Sequence, residues 1–185
     1  MKQPKPPALI FILLAILFCL PGIAAYWVFL HPEWLTAAKT NKGKLLDPPY
    51  QLSNMDDRNK WHLYYWYPGQ CDEKCLSNLD RLARVRLALG RKLYEVDLQW
   101  LRANNSDPVD AKLRSELAQQ DIRLRVLSSK DSEYLLANSN NNWVYIANPD
   151  DFLILKYTNI ERSMDIYKDL KHLLSIPVPK GERHA

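Results

Sequence analysis

The sequence lacks a strongly basic segment. It has 25 Lys and Arg against 21 Asp and Glu in 185 residues, a net charge of only +4. The basic residues are scattered through both halves of the chain, and no stripe of them is interleaved with aromatic residues. Because nucleic-acid-binding proteins usually carry such a basic surface, we expect no DNA or RNA partner. The length predicts one modest domain with additional segments.

Charged residues are absent from residues 8–30, which read ALIFILLAILFCLPGIAAYWVFL. As a helix, this run would extend about 35 Å, more than the roughly 30 Å hydrocarbon core of a bilayer. We therefore predict one N-terminal transmembrane helix over residues 8–30, preceded by a cytoplasmic N-terminus of residues 1–7. Tyr26 and Trp27, near the far end of the run, suit the membrane–water interface.

A cleaved signal peptide is the alternative interpretation of this run. Pro21 and Gly22 interrupt it, and residues 23–25 contain the small side chains of a cleavage region. The apolar sequence nevertheless continues to Leu30, which favours a retained anchor. Both interpretations export residues 31–185, because a short N-terminus normally stays inside. We expect a single-pass protein of the bacterial inner membrane, with its soluble part in the periplasm.

Cysteine is scarce, since the chain contains only three. Cys19 lies in the apolar run, where its simplest interpretation is a small apolar side chain. Cys71 and Cys75 are four positions apart in GQCDEKC, and an exported pair is able to form a disulfide. The spacing alone leaves several interpretations open: a structural disulfide, a redox couple, a metal site, or a coincidence in a binding module whose cysteines have no chemical role.

The soluble part alternates between strand and helix patterns. An aromatic strand is predicted over residues 61–67 and a helix over 72–89, followed by a strand over 92–101. A short helix over 109–120 and a third strand over 122–127 are predicted next. A hairpin of strands over 143–147 and 152–157, with Asn148-Pro149-Asp150-Asp151 as its turn, precedes a last helix over 160–174. We take this to be an α/β domain with the β-α-β-α-β-β-α order of a thioredoxin-like fold.

The predicted domain covers residues 60–175. Residues 31–59, which contain several prolines and a polar stretch, are predicted to be a linker, and residues 176–185 a disordered tail. The cysteine pair falls between the first strand of the domain and its first helix. In an open α/β sheet, chemistry is expected at that end of a strand.

The order of these segments resembles that of the SCO/SenC-like branch of thioredoxin-fold proteins. It consists of a membrane anchor, a linker, a strand and then C-x-x-x-C at the start of a helix. The hairpin turn at residues 148–151, followed by FLILKY, is similar to the closing hairpin of that branch. This resemblance implies an assembly factor for the copper centre of cytochrome c oxidase. It also implies that Cys71 and Cys75 form a redox pair or bind Cu(I), with an oxidase subunit or another assembly factor as partner.

Some features of that branch are missing. Leu76 stands where the branch has a proline after the second cysteine. The third copper ligand of the branch is a histidine, but residues 139–142 read SNNN, and no histidine lies between His62 and His172. The sequence therefore predicts that any bound Cu(I) is held by the two thiolates alone, or with an exogenous ligand. His62 is predicted to be an ordinary strand residue.

We accordingly predict a membrane-anchored, periplasm-facing protein that acts in cytochrome oxidase biogenesis. Thiol–disulfide exchange and copper handling, both through Cys71 and Cys75, are the two chemistries that the pair allows. No cofactor is required, and copper is a candidate ligand. The alternative is a non-catalytic, membrane-tethered assembly scaffold in which the two cysteines form a structural disulfide.

Overall fold

The computed structural model describes residues 7–31, 41–53, 60–138, 143–158 and 160–176. The chain divides into two compact units, Met1–Thr40 and Asn41–Ala185, and each is described by itself. The predicted N-terminal segment and the predicted tail lie almost entirely outside the described residues, as do two parts of the predicted linker.

The first unit contains helix α1, Pro7–Leu30. Its part Ile10–Leu30 is long and apolar enough to cross a membrane. The helix continues through Pro21, which membrane helices tolerate when other groups satisfy the freed backbone carbonyl. Cys19 is a free, exposed cysteine on this helix. The predicted transmembrane helix and α1 differ by one residue at the start and end together at Leu30.

The second unit contains a six-stranded mixed sheet in the order β1-β6-β5-β2-β3-β4. Strands β2, β3 and β4 are parallel to one another, and β5, β6 and β1 continue the sheet by antiparallel pairing on the other side of β2. The strands are β1 Lys44–Gln51, β2 Trp61–Trp66, β3 Val96–Arg102, β4 Ile122–Val126, β5 Trp143–Ala147 and β6 Phe152–Tyr157.

Helices cover both faces of the sheet. They are α2 Glu73–Ala88, α3 Ala111–Gln119, α4 Ser129–Asn138 and α5 Ser163–Leu173, with short 3₁₀ helices at Gly90–Glu95 and Ile160–Arg162. One core includes Leu63 and Tyr65 of β2 together with residues of α2, α3 and α5. The other core includes Tyr64 and Trp66 of β2 together with Leu135 of α4. Because successive side chains of a strand point to opposite faces, β2 contributes to both cores.

From β2 onward, the observed order is β-α-β-α-β-α-β-β-α, longer than the predicted β-α-β-α-β-β-α. The strand predicted over residues 122–127 is β4, and the element that the sequence did not predict is helix α4. Helix α4 was missed because its sequence is polar. Its start has a recognisable signal, however: the Ser128 Oγ accepts the backbone N–H of Asp131 at 3.2 Å. A serine followed three residues later by an acidic residue is the pattern of a helix cap.

Strand β1 lies within the stretch predicted to be a linker. Lys44 pairs with Lys156 and Leu45 with Leu155 at the edge of the sheet, before the register shifts between Leu45 and Tyr50. The DPP sequence in its middle weakens the strand pattern, and such prolines are tolerated on edge strands. The strand predicted over 92–101 is also corrected, because its first residues are 3₁₀ helix and β3 begins at Val96.

Candidate redox site at the cysteine pair

The cysteine pair lies where the chain leaves β2 and enters α2. Strand β2 ends at Trp66, and α2 begins at Glu73. A disulfide joins Cys71 to Cys75, and their Cα atoms are 5.1 Å apart. This separation falls in the ordinary range for disulfides. On a continuous helix, residues four apart are too distant to bridge, so the position of Cys71 in the loop before the helix permits the bond.

The two cysteines differ in exposure. Cys75 is completely buried and belongs to the core that α2 and α5 form with the sheet. Cys71 is only partly buried and packs against the outside of that core. A reactant that approaches from solvent therefore meets Cys71 first. This asymmetry distinguishes the chemical roles that the two sulfur atoms are able to play.

Asp72 is the N-cap residue of α2. Its Oδ1 accepts the backbone N–H of Cys75 at 2.8 Å, and its carbonyl oxygen accepts the N–H of Leu76 at 3.0 Å. A carboxylate at this position satisfies one of the unpaired N–H groups of the first turn. The sequence analysis did not predict this bond between the carboxylate and the second cysteine. Aspartate immediately before a helix is the signal that predicts such a cap.

The segment before Cys71 is supported by the loop that follows β3. The Ser106 Oγ donates to the carbonyl oxygen of Pro68 at 2.9 Å. The Gln70 Nε2 donates to the Asp107 carboxylate at 2.8 Å. These two bonds connect the approach to the disulfide with residues that lie more than thirty positions away in sequence, so the loop geometry depends on the tertiary fold.

Tyr67 is the residue that directly follows β2. The Trp100 Nε1–H donates to its carbonyl oxygen at 3.2 Å. Burial raises the pKa of the Tyr67 hydroxyl, and the charge of Asp72 and a hydrogen bond to that carboxylate raise the pKa further. The hydroxyl therefore stays protonated near neutral pH and acts as a donor to Asp72.

His62 lies away from the cysteine pair. It is near the start of β2, whereas Cys71 follows the end of that strand. Its ring stacks on Tyr64, with the ring centres 5.3 Å apart, which places it on the face of the sheet opposite Cys75. Its Nε2 is 3.3 Å from Asp151 Oδ1, and its Nδ1 is 3.9 Å from Asp97 Oδ2. These positions agree with its interpretation as a strand residue.

The described residues do not by themselves complete a copper site. Among them, no three His, Cys, Asp or Glu side chains form a group that could hold a metal ion. The two sulfur atoms are joined to each other, so they become soft thiolate ligands only after reduction. Residues 139–142, where the sequence predicted the lost ligand, lie outside the described residues.

Asp151 belongs to a buried polar group around His62, at the end of the sheet remote from the disulfide. The Tyr64 hydroxyl donates to Asp151 Oδ1 at 2.8 Å. Burial raises the pKa of the Asp151 carboxyl, although the hydrogen bond from Tyr64 and the proximity of His62 oppose this effect. Asp151 is in the turn between β5 and β6 with a φ of 65°. The group therefore attaches that turn to the centre of the sheet.

The domain has a mixed sheet with helices on both faces, and its cysteine pair follows the carboxyl end of strand β2 in the middle of the sheet. These features define a thioredoxin-like protein. The chain belongs to the family described as "Transmembrane-like, thioredoxin-like, C-terminal domain", which matches residues 61–177. The predicted fold class is thereby confirmed. The sequence has no match among curated proteins.

Solved structures with this fold include two Sco1 proteins. Yeast Sco1 has a TM-score of 0.52 at 16% identity, covering 75% of this chain and 99% of that chain. Apo Sco1 from Thermus thermophilus has a TM-score of 0.51 at 17% identity, covering 74% and 99%. A thiol:disulfide interchange protein from Bacteroides sp. has a TM-score of 0.47 at 12% identity, covering 77% and 95%. The two Sco1 structures confirm the predicted SCO-like resemblance at the level of the fold.

Proposed function

We propose that this protein is a membrane-tethered thiol–disulfide exchange protein, in which Cys71 exchanges with a client and Cys75 resolves the intermediate. The observation that carries the proposal is the disulfide at the carboxyl end of β2, with one cysteine partly exposed and the other completely buried. This unequal exposure gives a client access to Cys71 and keeps Cys75 inside the domain, as the two assigned roles require.

The exchange proceeds in two balanced steps from the reduced pair. The Cys71 thiolate attacks one sulfur of a client disulfide, and the client S–S bond breaks to leave a mixed disulfide and a client thiolate. The Cys75 thiolate then attacks the Cys71 Sγ, and the second client sulfur leaves. The client gains two electrons and takes up two protons, while the pair becomes the disulfide seen here. A reduced dithiol protein is the co-reactant that returns the pair to its starting state.

The setting that we propose is cytochrome oxidase biogenesis at the bacterial inner membrane. Its support is the SCO-like resemblance together with an apolar N-terminal helix long enough for a membrane span. In this setting α1 remains attached, the cysteine domain faces the periplasm, and the client is an oxidase subunit or another assembly factor. A periplasmic position suits a stable disulfide, because that compartment is oxidising.

Cu(I) is a second candidate, as cargo rather than as a resident cofactor. Two thiolates released by reduction provide soft ligands of the type that Cu(I) prefers. Titration of the reduced protein with Cu(I), against the Cys71→Ser variant, tests this function. Copper handling predicts one bound ion that is lost in the variant, and equal binding by both proteins excludes the pair as the copper site.

A pair of trapping variants tests the exchange function. Cys75→Ser removes the resolving sulfur, so mixed disulfides through Cys71 should accumulate in membranes from cells that express the full chain. Cys71→Ser is the matched control and should trap nothing, because Cys75 is buried. Alkylation followed by non-reducing electrophoresis detects the adducts. Equal trapping by both variants, or by neither, contradicts the assigned roles.

The scaffold alternative makes a different prediction. If the disulfide is only structural, the double variant Cys71→Ser/Cys75→Ser should still support oxidase assembly whenever it accumulates to normal levels. If exchange or copper handling is the function, oxidase activity should be lost while the protein level is maintained. Comparison of oxidase activity with immunoblotted protein therefore separates the two functions.

A further inference from the structure

The helix N-terminus at the cysteine pair is already occupied by a carboxylate. The Asp72 Oδ1 accepts the backbone N–H of Cys75 at 2.8 Å. At other helix starts, free N–H groups and the helix dipole stabilise a nearby sulfur anion. Here, Asp72 takes one of those donors and adds a negative charge next to Cys71. Both effects disfavour the thiolate form of the reduced pair.

We propose that Asp72 is a positioning residue that makes the Cys71–Cys75 disulfide harder to reduce. This inference rests on the proposed exchange function and describes the regulation of the same site. Disulfides whose reduced form is stabilised as a thiolate are strong oxidants. Because the reduced form is destabilised here, the pair has a low reduction potential and gives its electrons readily to another disulfide. The client class that it suits is therefore a disulfide to be reduced, rather than a dithiol to be oxidised.

The surroundings of Asp72 support this role. The Tyr67 hydroxyl hydrogen-bonds to its carboxylate, and the Tyr67 carbonyl is itself held by Trp100. Glu73, also in the first turn of α2, adds a second acidic residue, but its side chain is exposed and it is not the cap residue. Asp72 and Glu73 thus provide a matched comparison between a carboxylate that contacts the site and one that is only adjacent in sequence.

The test measures the redox equilibrium of the pair in the full chain in detergent. Every variant carries Cys19→Ser, so that alkylation counts only the pair. The protein is equilibrated with glutathione at a series of ratios, quenched by alkylation and analysed by mass. Asp72→Asn keeps a capping side chain and removes the charge, and Asp72→Ser is a second variant of the same design. Glu73→Gln is the control.

The expected result is that Asp72→Asn makes the disulfide about tenfold easier to reduce, a rise in potential of about 30 mV. Asp72→Ser should shift in the same direction, and Glu73→Gln should change the equilibrium constant less than about twofold. A structural role alone would lower stability without moving the potential, so urea unfolding of the oxidised variants is measured in parallel. An unchanged potential in both Asp72 variants overturns the proposal, as does an equal shift in Glu73→Gln.

The glutathione equilibrium needs no client, so it is independent of the trapping experiment. If Asp72→Asn shifts the potential while Cys75→Ser traps no client, the role of Asp72 stands and the exchange function fails. If trapping succeeds and the potential does not move, the exchange function stands and the role of Asp72 fails.

Discussion

The carboxylate of Asp169, in α5, accepts the backbone N–H of Gly43 at 2.8 Å, immediately before β1 begins. The same carboxylate accepts the N–H of Lys42 at 2.7 Å and the hydroxyl of Tyr157 at 2.7 Å. Asp169 is itself buried, and these three donors compensate for the removal of its charge from water. The start of β1 is thus attached to α5.

We expect Asp169→Ala to lower the free energy of unfolding by about 3 kcal/mol, because it leaves the N–H groups of Lys42 and Gly43 without their acceptor. Urea unfolding of the full chain in detergent, followed by tryptophan fluorescence, measures the change. Lys168→Ala is the control on the same helix; Lys168 is exposed, and its loss should cost less than about 0.5 kcal/mol. Equal stability of the two variants would show that the Asp169 bonds contribute little.

Gly43 is predicted to tolerate no side chain. A Cβ atom at this position would lie 2.5 Å from Cζ of Tyr157, whose ring is buried. Gly43→Ala should therefore displace the ring or the start of β1 and cost about 1–3 kcal/mol. Gly69→Ala is the control, because its Cβ would lie 3.8 Å from the nearest atom, in ordinary contact. Unfolding of both variants under the same conditions tests this prediction, and a loss in Gly69→Ala as large as that in Gly43→Ala contradicts it.

Asp151 should make stability depend on pH. Burial raises the pKa of its carboxyl in the folded chain. At a pH near that raised value, the Asp151 carboxyl is therefore protonated in a larger fraction of folded than of unfolded molecules. The contribution of Asp151 is therefore most favourable below the ordinary carboxyl pKa of about 3.9 and declines as pH rises through the raised value. Asp151→Asn keeps an acceptor for the Tyr64 hydroxyl. It should remove the part of the pH-dependent loss of stability that comes from Asp151.

Unfolding measured from about pH 4 to pH 7 checks this prediction. Asp150→Asn, at the exposed neighbouring position, should keep the wild-type slope. A slope in Asp151→Asn that is as steep as in the wild type would mean that the raised pKa of Asp151 has no net effect on folding.

The apolar run should remain attached to the mature protein. Its 23 residues exceed the 7–15 that a signal peptide's apolar region requires, roughly by half or more. N-terminal sequencing of protein purified from membranes is therefore expected to find residues that precede α1. A mature sequence that begins near Tyr26 would show cleavage.

The cysteine domain is expected on the periplasmic side of the membrane. A C-terminal alkaline phosphatase fusion should therefore be active, and an inactive fusion would place the cysteine domain in the cytosol.

The sequence predicted the hairpin at residues 143–157 accurately. Strands β5 and β6 have the predicted bounds, because their apolar residues continue up to a turn with Asn, Pro and Asp. Strand β1 was not predicted, since its pairing with β6 depends on residues more than a hundred positions away. The predicted strand includes the 3₁₀ segment before β3, because local apolar content does not say where pairing with β2 begins.

At the site, the spacing of Cys71 and Cys75 and the strand-to-helix boundary determined by themselves that the two sulfur atoms could meet. The charge-free run likewise determined that the chain has a segment able to span a membrane, because length and composition are local properties. Only the tertiary structure decided which cysteine is buried, since the core around Cys75 is built from α2, α5 and distant strands. It also decided which donors the buried carboxylates of Asp151 and Asp169 bind: the Tyr64 hydroxyl and the Gly43 N–H, respectively. A buried charge requires hydrogen-bond donors, and only folding brings these distant groups together.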